Sequence, residues 1–129
     1  MDPRLKTVAV DLDGTLAEAL PWSPDNQPIG PPLKGAKDAM ETFRAFGWTI
    51  IVYTCRANGW QVRHWCDEYL PGLVTAVNCS PSDVCQYGLY SPKPFADIYI
   101  DDKAWPLCGQ RPVRWKRIMD DLIDRGILR

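Results

Sequence analysis

The sequence predicts an α/β domain, a parallel sheet with helices on both faces. Three observations carry that expectation. Short apolar, β-branched runs alternate with stretches of helical periodicity along the whole chain. The 129 residues suit one domain, and a domain of this size buries roughly two thirds of its unfolded surface. Finally, three of the apolar runs end in carboxylates or a hydroxyl, and parallel α/β sheets bind ligands beyond the carboxyl ends of their strands.

The elements follow in order. Residues 5–12 (Leu-Lys-Thr-Val-Ala-Val-Asp-Leu) read as a buried strand that ends in the turn chemistry of Asp13-Gly14. Residues 17–34 hold Pro21, Pro24, Pro28, Pro31 and Pro32, which makes them a stiff flap without regular structure. Residues 35–46 place Ala36, Ala39, Met40, Phe43 and Phe46 at helical spacing, with Gly47 as the stop. Residues 48–53 (Trp-Thr-Ile-Ile-Val-Tyr) form a second buried strand leading into Thr54-Cys55-Arg56. Asn58 caps a helix to about Leu70, with Val62, Trp65, Cys66 and Tyr69 inward and Pro71-Gly72 ending it. Residues 73–79 are a third strand, and 80–92 are polar and rich in turn formers. Residues 96–100 are a short fourth strand that runs into Asp101-Asp102. Pro112 starts a last helix, with Trp115, Ile118, Met119, Leu122 and Ile123 on one face.

Composition narrows the class of function. Lys+Arg 15 against Asp+Glu 16 leaves a net charge of −1, so nucleic-acid binding by bulk charge has no support, although a local patch stays open. No apolar run approaches the ~20 residues that span a bilayer, and no basic start leads into a signal stretch, so no membrane partner is expected. The five cysteines (Cys55, Cys66, Cys79, Cys85, Cys108) are odd in number and contain no CxxC pair. They read as free thiols packed in a cytoplasmic, reducing compartment, and with His64 the sole histidine they do not make a zinc site. No repeat, linker or low-complexity tract divides the chain, so residues 1–129 form a single domain. A homo-oligomer is compatible with all of this.

Asp11 and Asp13 lie two residues apart at a strand end, so strand alternation points them the same way. Gly14 permits a tight turn, and the amides after it, with Thr15, are expected to meet anionic oxygens. Asp101 and Asp102 bring two more carboxylates to the same edge. Like charges a few ångströms apart repel by several kcal/mol at an effective dielectric of ~20. A proton or a divalent cation relieves that repulsion, and hard oxygen ligands suit Mg²⁺. A carboxylate can attack phosphorus to give an aspartyl phosphate, while the Thr54 hydroxyl and Lys93 hold the remaining oxygens.

The set resembles the haloacid dehalogenase superfamily of phosphotransferases. Its motifs occur in order: Asp11-Leu12-Asp13-Gly14-Thr15, then Thr54 after an apolar strand, then Lys93, then Asp101-Asp102 after Ile98-Tyr99-Ile100. The resemblance implies a Rossmann-like three-layer α/β/α fold and a Mg²⁺-dependent phosphate monoester hydrolase. Asp11 is then the nucleophile. Asp13 is the general acid and base, with its backbone carbonyl toward the metal. Thr54 and Lys93 bind phosphate, and Asp101 with Asp102 completes the metal set of Asp11 and Asp13. Dehalogenases lack the second carboxylate of the first motif, and transport ATPases carry Lys-Thr after their nucleophile, so Asp13 favours ester hydrolysis. Most members carry a cap domain in one of two gaps. Here the first gap is the proline-rich flap and the second has no room for a lid, so the chain resembles the small capless members. The implied partner is a phosphorylated small molecule or an exposed phosphate on a macromolecule.

Other readings stay beside this one. Arg56 orients phosphate or substrate, or else makes a surface salt bridge. His64 lies on the polar side of its helix and faces solvent. Trp22 and Trp60 form an entrance surface or, as is commoner, pack at a core edge. Ile100-Asp101-Asp102-Lys103 resembles the last motif of some deoxyribonucleotidases, which makes a nucleotide or polynucleotide-end phosphatase the alternative within the fold. A phosphoacceptor receiver domain also uses an acidic cluster, a Thr and a Lys-Pro. It needs its phosphorylated Asp at the end of a middle strand, where this chain has Tyr53-Thr54-Cys55.

Overall fold

A computed structural model of the chain describes residues 6–23, 27–79, 94–104 and 112–129. The first apolar run becomes β1 (Thr7–Asp11), its three central residues buried. The helically spaced Ala36, Ala39, Met40 and Phe43 become the buried face of α1 (Ala36–Ala45). Next come β2 (Thr49–Tyr53), α2 (Gly59–Tyr69), β3 (Ala76–Val77), β4 (Ile98–Ile100) and α3 (Trp115–Asp124). The sheet order is β3-β2-β1-β4 and every pairing is parallel. This is the single α/β domain that the alternation of periods predicts.

Local chemistry sets most of the element ends. The Asn58 side chain accepts the Gln61 N–H at 3.1 Å, the expected cap of α2. Asn78 adopts φ 54 and turns the chain out of the sheet, so the third strand is shorter than its apolar run. The last helix begins at Trp115, with Arg114 as its N-cap, and not at Pro112.

Val8, Val10, Ile50, Val52 and Ile100 share one buried cluster with residues of all three helices, among them Phe43, Trp65 and Trp115. Phe43 and Trp48 meet edge to face with ring centroids 5.4 Å apart, a geometry worth about 0.5–1.5 kcal/mol beyond burial. The other sheet face packs Ala9, Ile51 and Ala96 with Tyr53 and Tyr99. Phe46 and Tyr69, predicted to point inward, are partly exposed at the ends of their helices, as is Ile123 of α3.

The proline-rich segment is tied down at its base. Glu18 N–H donates to Pro31 O and Leu33 N–H to Leu16 O, both at 2.8 Å. The indole N–H of buried Trp65 donates to Gly30 O at 2.9 Å. Trp22 and Trp60 are 78% and 85% exposed, against the expectation of core or edge packing. His64 is exposed, as expected. Cys55 is an exposed thiol and Cys66 a buried one, whose pKa burial pushes up to about 11. Cys79 is disulfide-bonded, which corrects the expectation of free thiols throughout. Cys85 and Cys108 lie outside the described residues. Among the described residues no helix is long and apolar enough to cross a membrane.

Candidate acidic site

Register brings the strand-end groups together. Asp11 is level with Tyr53, and Val10 with Ile100, so Asp101 emerges beside Asp11. Alternation puts Asp11 and Tyr53 on the same side of the sheet as Ala9 and Ile51. Asp11, Asp101 and Asp102 each offer a carboxylate oxygen, and these atoms lie within 4.8 Å of one another.

Thr15 organises the cluster from beneath. It is fully buried, and its Oγ1 donates to Asp11 Oδ2 at 3.2 Å while accepting the Asp102 N–H at 3.0 Å. Thr15 is itself held by the Trp115 indole, which donates to its carbonyl at 2.8 Å. Burial first, then the charges of Asp101 and Asp102, push the Asp11 carboxyl up to about 7, with Thr15 opposing. Tyr53 Oη donates to Asp101 Oδ2 at 2.9 Å, and the Lys103 N–H donates to Asp101 Oδ1 at 2.9 Å. Burial and the Asp101 hydrogen bond both raise the Tyr53 pKa, so its hydroxyl keeps its proton and remains a donor.

Gly14 contributes through space. An added Cβ would lie 2.4 Å from Asp102 Oδ2, so only glycine lets Asp102 close on this turn. The amides expected to meet an anion are engaged within the turn: Gly14 N–H donates to Ala17 O at 2.8 Å and Thr15 N–H to Leu12 O at 3.2 Å. The turn after β1 folds back on itself, which consumes the donors that loose loop geometry would have left free.

The Asp13 side chain does not join the acidic group, because β1 ends at Asp11 and strand alternation stops there. Its two oxygens accept Nε and Nη2 of Arg56, each at 2.7 Å. Thr54 lies just past β2, its N–H donating to Asn78 Oδ1 at 2.7 Å and its Oγ1 accepting the Arg56 N–H at 3.1 Å. A shallow groove of about 500 Å³, lined by Trp60, Arg63, Thr75 and Asn78 among others, adjoins this end of the sheet. Lys93 lies outside the described residues.

Sequence reasoning missed Tyr53, Asn78 and Trp115. The register of β1 with β2 was the available signal for Tyr53. Asn78 and Trp115 act from 24 and 100 residues away, so no local pattern marks them.

No family model matches the chain, and no curated protein matches it. It is similar in structure to a conserved protein from Bacteroides thetaiotaomicron, with a TM-score of 0.68 and 24% identity over 95% of this chain and 93% of that one. The likeness is one of fold, and that protein's description states no activity.

Proposed function

We propose that the chain hydrolyses phosphate monoesters with Mg²⁺ through an aspartyl phosphate on Asp11, in the manner of the haloacid dehalogenase phosphatases its motifs resemble. The observation that carries this reading is the meeting of Asp11, Asp101 and Asp102 at the carboxyl edge of a parallel sheet, beside the Asp13 turn. Three hard carboxylate donors in one small space fit a Mg²⁺-type cation, and Asp11, Asp101 and Asp102 would hold it. Bound there, the ion would offset repulsion between Asp11 and a phosphate dianion.

In the first half-reaction an Asp11 oxygen attacks phosphorus. The bond from phosphorus to the alcohol oxygen breaks, and that oxygen takes the proton of Asp13. In the second, a water oxygen attacks phosphorus while Asp13 takes a proton from it. The Asp11–phosphorus bond breaks, inorganic phosphate leaves, and both carboxyl groups return to their starting states. Thr54 and Lys93 hold non-reacting phosphate oxygens in this scheme. The substrate is a phosphorylated small molecule or an exposed phosphate on a macromolecule. The bridged Cys79 counts against a cytoplasmic setting for the reaction, since disulfides are rare there.

The test is a hydrolysis screen over sugar phosphates, nucleotides, phosphopeptides and phosphate-ended oligonucleotides, with Mg²⁺ and with chelator. Turnover lost on chelation and in Asp11→Asn is the expected result. A lasting phosphoaspartate from small phosphodonors, without turnover, would overturn hydrolysis in favour of a receiver-type function. Full activity in Asp11→Asn would remove Asp11 as nucleophile.

A further inference from the structure

Arg56 carries more contacts than a phosphate ligand needs. Its side chain is only 11% exposed. Nε and Nη2 grip the two Asp13 oxygens at 2.7 Å each. Nη1 donates to Gln27 O at 2.6 Å and to Gln61 Oε1 at 3.4 Å, and Nη2 also donates to Pro28 O at 3.0 Å. A guanidinium has five N–H groups in a fixed plane, and each has an acceptor. No donor is left for a phosphoryl oxygen.

The acceptors come from three separate places: the turn after β1, the proline-rich segment, and α2. Gln61 strengthens the same junction, its Nε2 donating to Gln27 O at 2.9 Å. The backbone of Arg56 is fixed as well, through Thr54 Oγ1 and, behind it, Asn78.

We propose that Arg56 is a positioning residue: it fixes the plane of the Asp13 carboxylate and ties the Gln27–Pro28 backbone to it, and it does not bind phosphate. The proposal rests on the phosphatase reading above. A carboxylate has about four lone-pair sites, so the fork leaves Asp13 positions at which to release and take up a proton while its plane is held. Lysine supplies a point charge with three rotatable donors and cannot reproduce a planar two-point grip plus two backbone contacts.

The test compares wild type, Arg56→Lys, Arg56→Ala and Asp13→Asn on two phosphate monoesters. One is p-nitrophenyl phosphate, whose leaving group departs without protonation. The other is an alkyl phosphate such as glycerol phosphate, whose leaving group needs a proton. Both Arg56 variants should lose about 100-fold or more in kcat on the alkyl ester, the usual worth of a positioned general acid. On the aryl ester the first-turnover release of p-nitrophenol, which needs no proton from Asp13, should fall about tenfold or less. Steady-state kcat falls further there, because Asp13 also activates the water of the second half-reaction. Substrate affinity should be nearly unchanged on both. A matched rise in KM on both esters, with kcat kept, would make Arg56 a phosphate ligand and overturn the proposal. So would full rescue by Arg56→Lys.

A second measurement does not depend on activity. Because Asp13 and the proline-rich segment share one guanidinium, Asp13→Asn should speed hydrogen exchange at the Ile29 and Gly30 amides, as Arg56→Ala does. Unchanged exchange there in Asp13→Asn refutes the coupling. If wild type hydrolyses neither ester, the phosphatase reading fails, and the exchange result still decides whether Arg56 joins Asp13 to this segment.

Discussion

Replacing Gly14 with alanine probes the inner wall of the acidic cluster without removing a charge. Gly14 has φ +87, and an L-residue in the left-handed region costs about 1–2 kcal/mol. The new Cβ would also lie 2.4 Å from Asp102 Oδ2 and 2.9 Å from its Cγ. Asp102 is 4% exposed and its N–H is held by Thr15, so the short side chain has little room to retreat. Any retreat shifts its carboxylate relative to Asp11 and Asp101. Overpacking of this kind adds about 1–3 kcal/mol, for a total of about 2–5 kcal/mol. At about 2.1 cal/mol/K per residue, the unfolding entropy of a 129-residue domain converts that into a Tm loss of about 7–18 °C. Gly47 is the comparison. Its φ is +84 and an added Cβ meets nothing within 4 Å, so Gly47→Ala should show only the backbone part, about 4–7 °C. Thermal melts of the three proteins in chelator measure the difference. Repeating them with Mg²⁺ reports the cluster, because the Mg²⁺-induced rise in Tm should persist in Gly47→Ala and shrink in Gly14→Ala. If Gly14→Ala melts together with Gly47→Ala and keeps the full Mg²⁺ rise, Asp102 does not close on this turn and the reasoning fails.

Three further outcomes are expected. The Asp11 carboxyl sits at about 7 against an ordinary 3.8. A carboxyl raised on folding contributes its stability fully below about pH 3.8 and loses it as pH rises through about 7. In chelator, wild type should therefore lose stability relative to Asp11→Asn across that interval, and parallel denaturation curves for the two would contradict this. Tyr53→Phe removes the hydroxyl donated to Asp101 Oδ2. It should weaken Mg²⁺ binding about tenfold or more by calorimetric titration, while stability changes by only about 1 kcal/mol. Unaltered Mg²⁺ affinity would show that Tyr53 does not orient Asp101. Trp115→Phe deletes the indole donor to Thr15 O and leaves a void under the cluster. It should cost about 2–4 kcal/mol in urea denaturation, and a cost under about 1 kcal/mol would mean that another group holds that carbonyl.

The acidic edge was legible because it depends only on period and order. Val8-Ala9-Val10-Asp11 and Ile98-Tyr99-Ile100-Asp101 each run apolar into a carboxylate, and parallel strands bring such ends together whatever their lengths. That robustness explains why a three-residue β4 still delivers Asp101 to Asp11. The fate of Asp13 depended on something finer. Had β1 continued two residues further, alternation would have aimed Asp13 beside Asp11. Because β1 ends at Asp11, Leu12 instead anchors a turn whose carbonyl takes the Thr15, Leu16 and Ala17 amides. The same turn occupies the Thr15 amide and leaves the Asp13 side chain to Arg56, 43 residues away. The Arg56 contacts to Gln27 and Pro28 are similarly remote and carry no periodicity. The groups that reach an edge follow from pattern, but the groups that share a cluster follow from where each strand stops. A two-residue difference in strand length is finer than hydrophobic periodicity resolves, since the alternation of β1 is satisfied equally by an end at Asp11 or at Asp13. The Asp13–Arg56 pair is therefore the part of this site that sequence pattern does not show, and hydrogen exchange at Ile29 and Gly30 in Asp13→Asn tests it whatever the activity.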